Sequence, residues 1–283
     1  MGSEPTGNTF GINSYSYIFD HTAEAFLTRL AGRGYREFEV MVYPGHMWPK
    51  AMSATARAGL RRHAESLGAR IVTLNMPNID VNIAAASEDV REISLDHLER
   101  IIALAGDLSV PGVIIGPGKA NPLFPMPRQA LLGHFFRALD RLLPAADRAG
   151  TRLIVENMPF AFLPGISELM AALDAYGSED VKVLYDVANG HFIKEDIADG
   201  LRAARTRLAL VHLSDTGQSV YRHDAVGLGT VPFGAIPPAL DAIGHTGLPV
   251  LEIIAPEADT QIDESARRLS AAGFKSHSRR PAE

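Results

Sequence analysis

The sequence predicts a single-domain α/β protein, one closed (β/α)8 TIM barrel. Eight short, mostly apolar, β-branched runs alternate with eight longer amphipathic segments, which is the pattern of βα units and a parallel sheet. No Pro/Gly/Ser-rich linker divides the alternation, and 283 residues with 46% hydrophobic content suit one large core.

Taken in order, the strands are expected at residues 10–14, 37–42, 70–74, 112–115, 152–156, 182–186, 208–213 and 249–253, each short and apolar as buried parallel strands are. The helices are expected at 23–31, 54–67, 90–108, 129–149, 166–176, 195–203, 235–243 and 262–272, where apolar residues recur at spacings of three and four. Gly32, Gly68, Gly150 and Gly273 follow the helical runs as stop signals. The irregular segments 43–53, 75–88, 116–128 and 216–233 each follow a strand, and in such a barrel these loops cover the catalytic face. Residues 10–274 are expected to form the barrel, with 1–9 a flexible N-terminus and 275–283 a disordered tail.

Composition narrows the chemistry. The absence of cysteine excludes disulfides, thiolate zinc sites and cysteine nucleophiles, so a metal would sit among carboxylates, imidazoles and waters. A net charge of -6 with scattered basic residues argues against nucleic acid. No apolar run long enough for a membrane span or a signal peptide occurs, so a cytoplasmic protein is expected. There is no Gly-x-Ser-x-Gly hydrolase elbow, and Gly116-Pro117-Gly118-Lys119 lacks the spacing of a phosphate loop, leaving Lys119 as an anion contact or a solvent-facing turn.

Four consecutive predicted strands end in a metal-capable side chain: Leu153-Ile154-Val155-Glu156, Val183-Leu184-Tyr185-Asp186, Leu210-Val211-His212 and Val250-Leu251-Glu252. Their intervals of 30, 26 and 40 residues are each about one βα unit, which brings the strand ends together around the barrel mouth. One carboxylate after an apolar run is adequately explained as a helix N-cap, and Asp186 alone would be read so. Four in succession are not, because burying three carboxylates without a cation is costly. Three carboxylates and an imidazole suit a hard or borderline divalent ion.

These residues resemble the xylose isomerase-like barrels, which include sugar phosphate isomerases and epimerases, ketose 3-epimerases, inosose dehydratases and endonuclease IV. The resemblance covers nearly the whole chain and is most specific in Val155-Glu156-Asn157, Tyr185-Asp186-Val187-Ala188-Asn189, Val211-His212-Leu213-Ser214-Asp215, Gly227-Leu228-Gly229 with Phe233, and Leu251-Glu252-Ile253. It implies that Glu156, Asp186, His212 and Glu252 bind Mn2+, replaceable by Mg2+ or Co2+. Members are often dimers or tetramers, which leaves a homo-oligomer open. Two departures are informative. Where endonuclease IV-like members carry further zinc-binding histidines this chain has Gly116 and Asn189, which speaks against a three-zinc site and DNA repair. Where ketose 3-epimerases follow the strand-5 glutamate with a Leu-Asn-Arg-Phe-Glu-type segment, this chain reads Asn157-Met158-Pro159-Phe160-Ala161-Phe162. Phe160 and Phe162 would suit a less polar substrate edge, or pack under the loop.

The expected chemistry is proton transfer next to a carbonyl through an enediolate, with Glu156 and Glu252 as the catalytic pair and Asp186 and His212 mainly holding the ion. Candidate substrate contacts are His46 and Trp48 in the second loop, Glu39 and Asn75 at the ends of strands 2 and 3, His191, and Arg222-His223. Trp48 would stack on a sugar or staple the loop, while His46, His191, Arg222 and His223 have exposed or supporting roles as alternatives. Glu39 and Asn75 would meet substrate hydroxyls or satisfy loop amides. The leading expectation is an isomerase or epimerase of a sugar, sugar phosphate or related polyhydroxy carbonyl compound. A lyase on the same scaffold is the alternative: a dehydratase of a keto-inositol or dehydroshikimate-type compound, or an eliminase of an aglycone from a 3-oxo-glycoside. A non-catalytic sugar-binding barrel subunit is the third.

Overall fold

In the computed structural model, which describes residues 10–275, eight parallel strands lie side by side in chain order and close on themselves. They are β1 (Gly11–Asn13), β2 (Glu37–Met41), β3 (Arg70–Asn75), β4 (Gly112–Ile115), β5 (Arg152–Glu156), β6 (Lys182–Asp186), β7 (Leu208–Leu213) and β8 (Val250–Leu251). Closure comes from β8 pairing with β1, Ile12 opposite Leu251. The surrounding helices are α1 (Ala23–Gly32), α2 (Ala54–Ser66), α3 (Glu88–Leu108), α4 (Arg128–Ala149), α5 (Ile166–Tyr176), α6 (Val187–Phe192), α7 (Ile197–Ala204), α8 (Ile236–Ala242) and α9 (Ala258–Ala271). The (β/α)8 barrel expected from the alternation is therefore the fold. The expected flexible stretch 1–9 and all of the expected tail except Lys275 lie outside the described residues. No helix among the described residues is long and apolar enough to cross a membrane.

Local chemistry accounts for the helix starts. The Thr22, Ser53 and Asp196 side chains accept hydrogen bonds from the Ala25, Ala56 and Asp199 amides and so cap α1, α2 and α7. Several boundaries depart from expectation. Gly32 is the last residue of α1, and the left-handed residue that follows the helix is Gly34 at φ +99°. Strands β1 and β8 are shorter than expected, although the Glu252 amide still bonds to the Leu213 carbonyl. Helix α9 starts four residues earlier than its periodicity suggested, at Ala258 instead of 262. Helix α6 was not expected at all, because it begins at once from β6 without an intervening loop.

One layer of the barrel interior explains why the metal-capable residues converge. Ile154, Leu184, Leu210 and Val250 pack together with Ile114 as a buried apolar cluster. Side chains on a strand alternate, so the residue two further along faces the same way. Two residues beyond those four stand Glu156, Asp186, His212 and Glu252, set above an apolar floor toward the C-terminal ends of the strands.

Candidate metal centre and cavity

Glu156, Asp186, His212 and Glu252 are buried, and one ligand atom from each lies within 4.8 Å of the others. They come from the ends of β5, β6 and β7 and the residue after β8. Asp186 shows how one carboxylate serves two purposes. Its Oδ1 caps α6 by accepting from the Asn189 amide at 2.8 Å, while its buried Oδ2 has no hydrogen-bond partner. An orphaned buried carboxylate oxygen is costly unless a cation completes it. Together with three carboxylates enclosed around one imidazole, it fits a divalent ion held by three oxygen donors and one nitrogen.

The imidazole is oriented from behind. His212 Nε2 lies 3.1 Å from Glu39 Oε2, and Nδ1 lies 3.2 Å from Glu252 Oε2 and 3.7 Å from Asp186 Oδ2. Both ring nitrogens therefore face carboxylate oxygens, which accept; an ion at the centre would take Nδ1 and leave Nε2–H to donate to Glu39. Glu39 is fully buried and accepts further bonds from Asn13 and Asn75 at Oε1 and from Thr73 at Oε2. Burial alone would raise its carboxyl, but the His212 ring and the bonds from Thr73 and Asn75 hold it below the usual carboxylate range. Burial and then the neighbouring Glu252 charge push the Glu156 carboxyl well above that range in the metal-free protein. For His212 burial opposes charge, yet Glu39 and Glu252 raise its pKa well above the ordinary imidazole value.

A cavity of about 340 Å3 opens beside this cluster, lined among others by Tyr15, Asn75, Glu156, Phe160, Asn189, Tyr221, His223 and Glu252. The expected substrate contacts separate around it. His223 reaches the centre, with Nδ1 3.2 Å from Glu252 Oε2 and 2.9 Å from Ser214 Oγ, and Nε2 2.7 Å from the Tyr221 hydroxyl. Its neighbour Arg222 turns outward, its side chain 63% exposed and 3.9 Å from Asp224. Asn75 borders the cavity but spends its amide on Glu39, and Glu39 itself is closed off from it. His46 is buried between Ser14 Oγ and the His21 carbonyl, His191 pairs with Thr230 Oγ1, and neither lines the cavity. Trp48 stacks on His97 of α3 at 4.6 Å, away from the cavity, which is the stapling arrangement. Phe160 lines the cavity whereas Phe162 packs near Phe135. Lys119 lines it too, with Nζ bonded to the Asn78 and Ile79 carbonyls.

Several participants carried no signal in the sequence. Asn13 joins Glu39 to Glu252 with bonds of 2.5 and 3.1 Å. Asn157 clamps β5 to β6, its Oδ1 accepting from the Asp186 amide. Tyr15 and Tyr221 line the cavity. A strand-end asparagine or a loop tyrosine is too common to single out; only Asn157 and Asn189 lay inside a distinctive motif.

A (β/α)8 barrel whose C-terminal mouth encloses three carboxylates and an imidazole able to hold a metal ion defines a class of TIM barrels with a candidate metal centre. The chain belongs to the xylose isomerase-like TIM barrel family, whose model matches residues 27–272. An uncharacterised protein of Methanocaldococcus jannaschii is 23% identical over 165 residues, covering 57% of this chain and 62% of that protein's length. Among solved structures, a D-psicose 3-epimerase crystallised in the presence of D-fructose superposes with TM-score 0.75 at 20% identity over 93% of this chain and 97% of its own. The IolI protein with a bound zinc atom superposes with TM-score 0.79 at 16% identity over 96% of this chain and 100% of its own. At these identities the likenesses carry the fold.

Proposed function

We propose that this protein is a divalent-metal-dependent isomerase or epimerase of a sugar, sugar phosphate or related polyhydroxy carbonyl compound, with Mn2+, or Mg2+ or Co2+ in its place, at Glu156, Asp186, His212 and Glu252. The observation that carries the reading is a division among the four: Glu156 and Glu252 border the cavity, whereas Asp186 and His212 are wholly enclosed. An ion held by these four residues would supply positive charge to stabilise the enediolate formed on proton loss. Asp186 and His212 hold their donor atoms in place, one fixed by the Asn189 amide and the other by Glu39. Glu156 and Glu252 meet the substrate from two separate strands, so one removes the carbon-bound proton and the other returns it.

The test is deuterium exchange from solvent into a panel of keto sugars by the Mn2+-loaded protein. Wild type is expected to exchange the α-proton and give the epimer or isomer, and Glu156→Gln and Glu252→Gln to lose about 10²- to 10⁴-fold in rate with the barrel folded. Wild-type rates in either variant reject its proton-transfer role, and no exchange with the metal restored rejects the enzyme in favour of a binding subunit.

One observation favours lyase chemistry as the second reading. The Tyr15 hydroxyl has no hydrogen-bond partner among the described residues and lies close enough to Glu252 and Glu156 that, after burial itself, their charges help raise its pKa. A neutral phenol there can protonate a departing oxygen. Loss of water or of an aglycone in the same assay selects the lyase.

A further inference from the structure

The cavity has two chemically distinct ends. At the inner end lie Glu156 and Glu252, and most other polar groups there are committed to one another. The Asn75 amide bonds to Glu39, the Asn189 amide to Glu156 and the Asn157 carbonyl, and the Tyr221 hydroxyl to Asn189. The Tyr15 hydroxyl remains. Glu156, Glu252 and the Tyr15 hydroxyl are therefore what this end offers to a substrate's polar head.

The outer end is mainly apolar, and its charged group, Lys119, is bonded to the Asn78 and Ile79 carbonyls. Its wall includes Met76, Val81, Ile83 and Leu98, and at its rim Phe160, Ile79 and Ile254 stand 64%, 79% and 39% exposed. Covering such side chains is favourable in proportion to the area removed from water. Phe160 meets Tyr221 edge-on at 5.4 Å, and Phe192 lies within 6.0 Å of both rings. Tyr221 therefore ties the aromatic rim to Asn189 and His223 at the inner end through its hydroxyl. At about 340 Å3 the cavity falls within the roughly 300–1,000 Å3 of sites that enclose drug-sized ligands.

The geometry points to a two-ended substrate: a polyhydroxy carbonyl head at Glu156 and Glu252, joined to an apolar, aryl-sized substituent that covers Phe160, Ile79 and Ile254. The identity of the head rests on the metal-dependent reading above; the substituent rests on the rim.

The experiment is equilibrium titration of the Mn2+-loaded full chain with phenyl and methyl 3-oxo-β-D-glucopyranoside. Wild type is expected to bind the phenyl compound at least ~10-fold more tightly, about 1.4 kcal/mol. Phe160→Ala and Ile79→Ala change exposed side chains and leave the fold intact; each is expected to shrink the phenyl advantage to within about threefold while affinity for the methyl compound stays unchanged. Equal affinities in wild type, saturation by neither compound, or a phenyl preference that persists in both variants overturns the assignment. Because binding is read without turnover, the two readings fail separately. A phenyl preference without solvent exchange removes the enzyme and keeps the apolar site, whereas exchange into free hexuloses without a phenyl preference does the reverse.

Discussion

Glu39 most changes its meaning between sequence and structure. As the end of a predicted strand it looked like a hydroxyl contact; in the barrel its carboxylate is closed off and faces His212, 173 positions away in the chain. The distance from β2 to β7 across the barrel is what hides the pairing, since neither residue's neighbours encode the other. The four ligand candidates were legible because strand alternation and βα spacing fix where a strand-end side chain points. Their supports were not legible, because Asn13, Thr73 and Asn75 act through three-dimensional contact alone. Glu39→Gln keeps the side chain's size and removes the negative charge that faces His212 Nε2. We expect Mn2+ affinity about 10- to 100-fold weaker with the barrel intact, read by metal titration; unchanged affinity would assign Glu39 to packing. Protons should also compete with the ion. With its pKa raised, Glu156 carries a proton in the metal-free protein over a range where a free glutamate is ionised, and binding expels it. Affinity should therefore rise with pH through that range, and calorimetry in buffers of different ionisation enthalpy should detect proton release.

At the level of elements, the segment between β7 and α8 is held by one carboxylate. Asp215 accepts from the Thr216 and Val231 amides at Oδ1 and from the Gly227 amide at Oδ2, and its backbone pairs with Asp224. Tyr221 and His223 ride on this loop into the cavity. Gly229 packs so closely that an added Cβ would lie within 2.5 Å of Asp215 Oδ1, which gives the Gly227-Leu228-Gly229 motif a steric reason. Asp215→Ala strands three amides at a cost of about 1–3 kcal/mol for each that water does not reach. The expected result is roughly 10²-fold lower kcat/KM from misplaced Tyr221 and His223. Metal affinity should hold within about threefold, because the ligand-bearing strand ends are untouched; a parallel loss of metal would tie the loop to the centre itself. The loop was visible in the sequence by its length and glycines, but the division of Arg222 from His223, one exposed and one inward, is set by the Asp215–Asp224 pairing and by the bonds of His223 to Ser214 and Tyr221. Helix α6 escaped notice for a related reason: Asp186 ends its strand and caps the next helix in one residue, leaving no loop composition to read.

For the whole molecule, the centre is a place where stability and function oppose each other. Three buried carboxylates held near one another favour binding of a cation and disfavour the metal-free fold. An ion at ~100 times its dissociation constant adds about 2.7 kcal/mol, on the order of 5 °C in melting temperature for a chain of this size, and chelation should remove that increment. The Glu156 carboxyl sets the direction of a further effect. Its pKa is raised in the folded state, so the unfolded chain binds fewer protons once pH exceeds the ordinary glutamate value, and metal-free stability is lost as pH rises toward and through the folded value. Glu156→Gln removes that ionisation and with it the repulsion from Glu252. Without metal, the variant should therefore melt higher than wild type at pH about 8 and show a flatter pH dependence above the ordinary glutamate value, yet gain little from Mn2+. If metal-free wild type and Glu156→Gln melt together across this range, the carboxylates do not repel one another in the folded barrel, and the physical case for a cation at their centre loses its main support.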